Sequence, residues 1–190
     1  MVSQFISSHE VNLLGSLDFE FPEGTHAIGR LDNHSEGLLL LTTNKKITKL
    51  LFQGPKPHTR TYLVQVKNTI TPATAKALAS GIQISAPNGS QYLTSPCSVS
   101  IVEDTAPYQH LFDPSLLRPA IPIHQNVVTS WVLITLTEGK FHQVRKMVAA
   151  VHHRCVRLIR VAIEAIYLGD LPAGQVRELE EADFLKLLDL

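Results

Sequence analysis

The stretch from Ser130 to Leu168 changes periodicity twice, and that alternation constrains the fold more than any other feature of the chain. Ser130 to Thr137 sets Trp131 and Leu133 against Val132 and Ile134, the two-residue period of a strand, and the Glu138-Gly139 turn closes it. Phe141 to Val151 then repeats Phe141, Val144, Met147, Val148 and Val151 along one face of a helix, with Arg145 on the margin of that face and Lys146 pointing away. Val156 to Val161 and Ala165 to Leu168 return to strand character. An apolar helix stripe held between strands buries itself only by packing on the sheet those strands build.

The rest of the chain extends the pattern. Phe19 to Phe21, ending at Pro22-Glu23-Gly24, and His26 to Leu31 are expected strands, with Asp32 where the second one stops. Leu38 to Thr42, bounded by Gly37 and Asn44, is expected as a buried strand, and Lys45 to Phe52 as a short basic helix. Arg60 to Val66 carries Tyr62, Val64 and Val66 on one face and is expected to be half exposed. Thr71-Pro72 supplies an N-cap and a first-turn proline for a helix that stops at Gly81. Gly81 to Ser100 is expected as short strands and turns, Thr105 to Asn126 with its four prolines as a surface excursion, and Ala182 to Leu188 as a closing helix. Strands outnumber helices at hairpin-like spacing. The predicted architecture is α+β: one unit over residues 1–190, a mainly antiparallel mixed sheet with flanking helices and a central cleft.

Several function classes drop out. Wholly apolar runs such as Leu38 to Leu41 fall far short of the roughly 20 residues that span a bilayer, so no membrane partner is expected. The first ten residues lack the basic start and apolar stretch of a secretory signal, and the cytoplasm is the expected location. Cys97 and Cys155 are expected as free thiols in that compartment. His152, His153 and Cys155 invite a metal reading, but adjacent histidines point in different directions and no second ligand pair accompanies them; no metal is expected.

Formal net charge is zero, yet the charges are segregated. No Asp or Glu occurs between Gly37 and Val102, a window holding Lys45, Lys46, Lys49, Lys56, Arg60, Lys67 and Lys76. A second acid-free window, Gly139 to Ile163, holds Lys140, Arg145, Lys146, Arg154, Arg157 and Arg160, while acids gather at the two ends. Such a chain can offer phosphates a basic face despite its neutral total; an ordinary solvated surface explains the lysines equally well.

Asp32 is the first chemical candidate, a carboxylate between an apolar strand and the Leu38 to Leu41 run. Desolvation alone would neutralise it, whereas beside a guanidinium it stays ionised and serves as base or nucleophile. An aspartate so placed is also a common turn or salt-bridge residue. Arg145, at the edge of its stripe, is the expected partner, with Arg30 as a competitor that points to the opposite face and could meet phosphate. Tyr62 offers a flat surface on which a base could stack, or a core side chain.

Read together, these segments resemble one family. Gly29 to Asn44 looks like the aspartate motif of the RsuA-type bacterial ribosomal-RNA pseudouridine synthases, Arg60 to Val64 like their tyrosine motif, and Glu138 to Met147 like their arginine motif. Arg157 to Val161 and Leu168 to Gly174 follow in the same order. The likeness is greatest to the RluE-like subgroup that acts on large-subunit ribosomal RNA without an N-terminal S4 domain. The resemblance implies a pseudouridine synthase fold and an isomerase that breaks the uridine glycosidic bond, turns the base and rejoins it through C5, with no cofactor and no metal. It implies Asp32 as the catalytic aspartate, Arg145 as its ion-pair partner, Tyr62 as the stacking residue and Leu158 as an apolar wall of the uracil pocket. With Arg30, Arg60, Lys140, His142, Gln143 and Lys146, Leu158 completes the expected substrate-binding set, and the expected partner is ribosomal RNA bound by a monomer. Lys140 stands where arginine is commoner and His142 where another basic residue is frequent. The family's opening Lys-Pro-x-Gly motif has no counterpart, Val2 to Phe5 resembles the residues after it, and an incomplete first strand is expected. Two rivals make different predictions: a noncatalytic RNA-binding or ribosome-assembly protein would tolerate loss of Asp32, and a hydrolase built on His152, His153 and Cys155 would carry zinc.

Overall fold

The computed structural model describes residues 1–112 and 127–190; the expected excursion therefore falls partly outside the described residues. A short ribbon pairs β1 (His26–Ile28) antiparallel with β3 (Leu40–Thr42). Between them β2 (Glu36–Gly37) leaves the ribbon to pair in parallel with the main sheet. Then come α1 (Lys45–Gln53), β4 (Arg60–Lys67), α2 (Pro72–Ala79), a hairpin of β5 (Gln83–Ser85) and β6 (Gln91–Leu93), and β7 (Ser98–Val102). β8 (Thr129–Leu136), α3 (Gln143–Ala150), β9 (Cys155–Ile163), β10 (Ile166–Tyr167) and α4 (Glu181–Leu187) complete the order. The main sheet runs β10-β9-β4-β8-β7 with β2 on β9, antiparallel except for that last pair, so the expected α+β architecture is the one found.

Alternation along the central strands sorts side chains into two cores. Val64, Val66, Val132, Ile134 and Leu158 lie on one face of the sheet with Leu78 of α2 and Val144, Met147 and Val148 of α3. Leu63, Ile159 and Ile163 lie on the other with Ile47 and Leu51 of α1, Phe184 of α4, and Ile28 and Leu40 of the ribbon. β4 is therefore central and covered on both sides, not half exposed: Leu63 and Val64 are both fully buried, each contributing roughly 1.5–3 kcal/mol. Its β-branched and aromatic content suits either position; only the neighbours β8 and β9 decide it.

Three further expectations need correction. Phe19 to Phe21 forms no strand; Phe21 instead packs edge-on against Phe5 and tilted against Phe19. The Leu38 to Thr42 run is not one strand, because β2 ends at Gly37 and β3 begins at Leu40. Phe141 is not part of the α3 stripe: the helix starts at Gln143, and His142 adopts a left-handed φ of 54° that turns the chain before Phe141 reaches the core. Thr71 caps α2 as expected, its hydroxyl accepting the Thr74 N–H.

Gly37 explains how the Asp32 segment reaches the sheet. It has φ of 98°, and a Cβ there would stand 2.3 Å from the Arg160 carbonyl oxygen. Only glycine lets β2 lie this close to β9, and the Leu38 N–H donates to that same carbonyl at 2.7 Å.

Candidate active site

Residues 29–38 form a loop whose apex is a turn, with the Ser35 N–H donating to the Asp32 carbonyl at 2.9 Å. A short loop between two sheets would be mobile without anchors, and this one has four. Ser3 grips the residue before the aspartate, its hydroxyl accepting the Leu31 N–H at 2.9 Å and donating to the Leu31 carbonyl at 3.0 Å. Arg145 donates through Nη2 to the His34 carbonyl and, at 3.5 Å, to the Ser35 hydroxyl. Arg157 forms a bidentate pair with Glu36 at 3.1 and 2.7 Å. Arg160 donates from Nε to the Leu38 carbonyl and from Nη2 to the Gly29 carbonyl, each at 2.8 Å, closing the two ends of the loop onto β9. All three arginines come from the second acid-free window, so that basic stretch serves the loop first.

This geometry corrects the expected ion pair. The Arg145 guanidinium binds the backbone and hydroxyl of the turn, and among the described residues the side chain that meets the Asp32 carboxylate is the imidazole of His142, with Nε2 3.8 Å from Oδ2. The side chain of Asp32 is 37% exposed, an accessible acid rather than a sequestered one. Tyr62 stands opposite Arg160 in the β4–β9 register and packs on the first core cluster. Burial works against the charge of Arg160, while the Tyr62 hydroxyl and the Asp32 carboxylate favour it. Asp32 and Arg145 meet at one loop, and Tyr62 is the β4 register partner of Arg160, the arginine that closes that loop.

The remaining expected residues divide into two groups. Arg30, Lys140, His142 and Lys146 keep surface available, and Lys140 Nζ lies 4.5 Å from the centre of the Tyr92 ring. Arg60, Gln143 and Leu158 do not. Arg60 is buried with its guanidinium 4.5 Å above the Phe52 ring, its charge opposed by burial. Gln143 is buried because it braces the Glu138 to His142 loop, accepting the Lys140 N–H at 2.8 Å and donating to Glu138 at 2.6 Å. Burial weighs against the Glu138 charge, but hydrogen bonds from Tyr92, Ser95 and Gln143 outweigh it and hold the carboxyl below its ordinary value. Leu158 is a core residue opposite Val64, with almost no surface for a ligand.

Sequence reasoning missed Ser3, Arg157 and Arg160 as loop anchors. A signal existed for the last two: an arginine inside an otherwise apolar strand has to find acceptors, and β9 carries both within four positions. Asp32 also borders an apolar cavity of about 890 Å³ between the β1–β3 ribbon and residues 168–179, but neither Tyr62 nor Arg145 lines it.

His153 and Cys155 have separate partners: His153 Nδ1 meets the Lys67 carbonyl at 2.9 Å, and the Cys155 thiol donates to the Arg157 carbonyl at 3.4 Å. Burial pushes the Cys155 thiol up to about 11 against a small opposing effect of Arg145. Unfolded chains release that proton near pH 9 and the folded chain only near pH 11. The stability held by the neutral thiol is therefore complete below pH 9 and lost between the two values, roughly 2–3 kcal/mol in all. Urea unfolding at pH 8 and pH 10.5 is expected to show wild type losing about 2 kcal/mol more than Cys155→Ala. Equal losses in the two proteins would refute a buried thiol.

Residues 9–150 match the family model described as RNA pseudouridylate synthase. The chain belongs to that family. It is 35% identical over 160 residues to the ribosomal large subunit pseudouridine synthase E of Xanthomonas campestris pv. campestris, covering 84% of this chain and 80% of the relative. It is 33% identical to the protein of the same name from Vibrio vulnificus, covering 85% of this chain and 64% of that one. The ribosomal small subunit pseudouridine synthase A of Salmonella typhimurium is 31% identical, over 83% of this chain and 57% of the relative. The chain thus spans a little under two thirds of the length of several relatives it matches. A crystal structure of a pseudouridylate synthase superposes with a TM-score of 0.69 at 27% identity, covering 89% of this chain and 63% of that one. The fold is that of a pseudouridine synthase.

Proposed function

We propose that this chain isomerises a specific uridine of ribosomal RNA, in the large subunit, to pseudouridine. The observation that carries the reading is the Asp32 turn: an accessible carboxylate on a loop pinned by Ser3, Arg145, Arg157 and Arg160, with Tyr62 opposite Arg160 in the β4–β9 register. Fixing a reacting group by anchors on both sides is how a site places it within reach of a bond it must attack. Asp32 acts on the ribose as nucleophile or base, Tyr62 stacks on the everted uracil, and Arg145 positions the turn. Arg30, Lys140, His142 and Lys146 take the flanking phosphates. The N1–C1′ bond breaks, the C5–C1′ bond forms, the C5 proton leaves and N1 gains one, so electrons and atoms balance without a cofactor or metal. Everting a uridine costs a few kcal/mol, which stacking and phosphate contacts offset. On this reading the protein works in the cytoplasm, where ribosomal RNA is made, and acts as a monomer.

The test is release of tritium from ribosomal RNA labelled at uridine C5, followed by carbodiimide mapping of the modified nucleotide. One-for-one release and pseudouridine formation at a single large-subunit position is expected. RNA binding with no release from either subunit's RNA would establish the noncatalytic alternative instead.

A further inference from the structure

Phe141 is the one large aromatic side chain of the Glu138 to His142 loop, and it is 59% exposed. Its ring stacks on the His142 imidazole, centroids 3.9 Å apart and planes within 14°, and that imidazole in turn meets Asp32 at 3.8 Å. The loop carrying it is braced, since Glu138 takes hydrogen bonds from Tyr92, Ser95 and Gln143, and Gln143 returns to the Lys140 N–H. Lys146 Nζ lies over the Phe141 ring, 5.2 Å from its centre, and donates to the Ser85 carbonyl at 2.6 Å, while the exposed Lys140 reaches over Tyr92, which braces the same loop. A rigid, exposed ring stacked on the residue that meets Asp32, with the Lys146 ammonium beside it, matches a nucleobase with its phosphate.

We propose that Phe141 is a stacking platform for an unpaired nucleobase next to the target uridine, with Lys140 and Lys146 on the adjoining phosphates. This rests on the proposed function and adds to it a binding position beyond Tyr62. An everted uridine leaves its neighbour without a stacking partner on one side, and the Phe141 face replaces it. Every base has a π face, so the platform contributes affinity and register without selecting a base.

The experiment compares Phe141→Ala, Phe141→Leu and Phe141→Trp with wild type on C5-tritiated ribosomal RNA, resolving KM from kcat. At the usual strength of base–aromatic stacking, Ala and Leu are expected to raise KM roughly 5- to 100-fold with kcat within about twofold, and Trp to hold KM at the wild-type value. The new indole of Phe141→Trp is expected to be quenched when a single-stranded, uridine-containing RNA binds, over the constant background of Trp131. Thermal melts should coincide for all four proteins, because the ring is outside the core. Unchanged KM in Phe141→Ala, Leu performing as well as Trp, or no quenching would overturn the platform while tritium release by wild type leaves the proposed function standing. Should wild type release no tritium, the function fails, and the indole signal still decides whether a base stacks here.

Discussion

Asp32→Asn is expected to lower pseudouridine formation by at least about a thousandfold while leaving RNA affinity within a few fold. The substitution keeps the shape of the side chain and removes only its charge and its ability to attack a carbon or take a proton. Little structure depends on that charge: the turn is held through the backbone of Leu31, Asp32 and His34, the Ser35 hydroxyl and the Glu36 carboxylate, none of which the change touches. The Asp32–His142 contact at 3.8 Å is half solvated, and exposed pairs of this kind contribute between zero and about 1 kcal/mol. Single-turnover tritium release, with fluorescence anisotropy on the same RNA, separates the two effects. Turnover by the variant near the wild-type rate would remove Asp32 from the chemistry, whichever of nucleophile or base it was taken to be.

The reading of the sequence succeeded where one period ran long enough to be unambiguous and failed where a few residues had to choose between partners. The alternation of Trp131 and Leu133 against Val132 and Ile134 marked β8, and in the fold those pairs do fall into opposite cores. Thr71-Pro72 marked the start of α2 because cap chemistry is local. The four leucines from Leu38 to Leu41 are as apolar as a buried strand, yet β2 and β3 belong to different sheets, a division set by the close approach of Gly37 to β9. Helical spacing placed Phe141 in the core because a wheel does not know where the cap lies, and the left-handed turn at His142 moved the ring into solvent.

The site shows the same division. Opposite charges suggested that Arg145 would meet the Asp32 carboxylate, and proximity to the Asp32 turn was correct. What no sequence announces is that a backbone carbonyl, here that of His34, would present itself to the guanidinium first. Arginines in the β9 strand read as part of a basic face, but two of them point at loop 29–38 because a buried guanidinium requires acceptors: Arg160 finds the Gly29 and Leu38 carbonyls and Arg157 the Glu36 carboxylate. The charge asymmetry of the chain therefore has two uses: lysines and Arg30 remain at the surface, and the β9 arginines turn inward to build the site.

Arg160→Met is expected to have the second largest effect, on activity and stability together. The side chain is 2% exposed and donates to carbonyls at both ends of the loop, Gly29 and Leu38. Methionine fills much of the same volume but donates nothing, so two carbonyls lose their partner. Leaving such groups unsatisfied costs about 1–3 kcal/mol each, partly offset because a buried cation is no longer desolvated. A net loss of roughly 2–4 kcal/mol in urea unfolding follows. The activity loss has a separate cause: with its ends released, the loop no longer fixes Asp32 in place, and a misplacement of about 1 Å is enough for a hundredfold fall in single-turnover rate. Arg160→Lys keeps the charge near Tyr62 and Asp32 but presents one ammonium where a fork spanned two acceptors. It is expected to recover part of the stability and to remain well below wild type in rate. A lysine variant with full activity would mean that charge alone is needed at this position, and a methionine variant with full activity would mean that the loop keeps its geometry without β9.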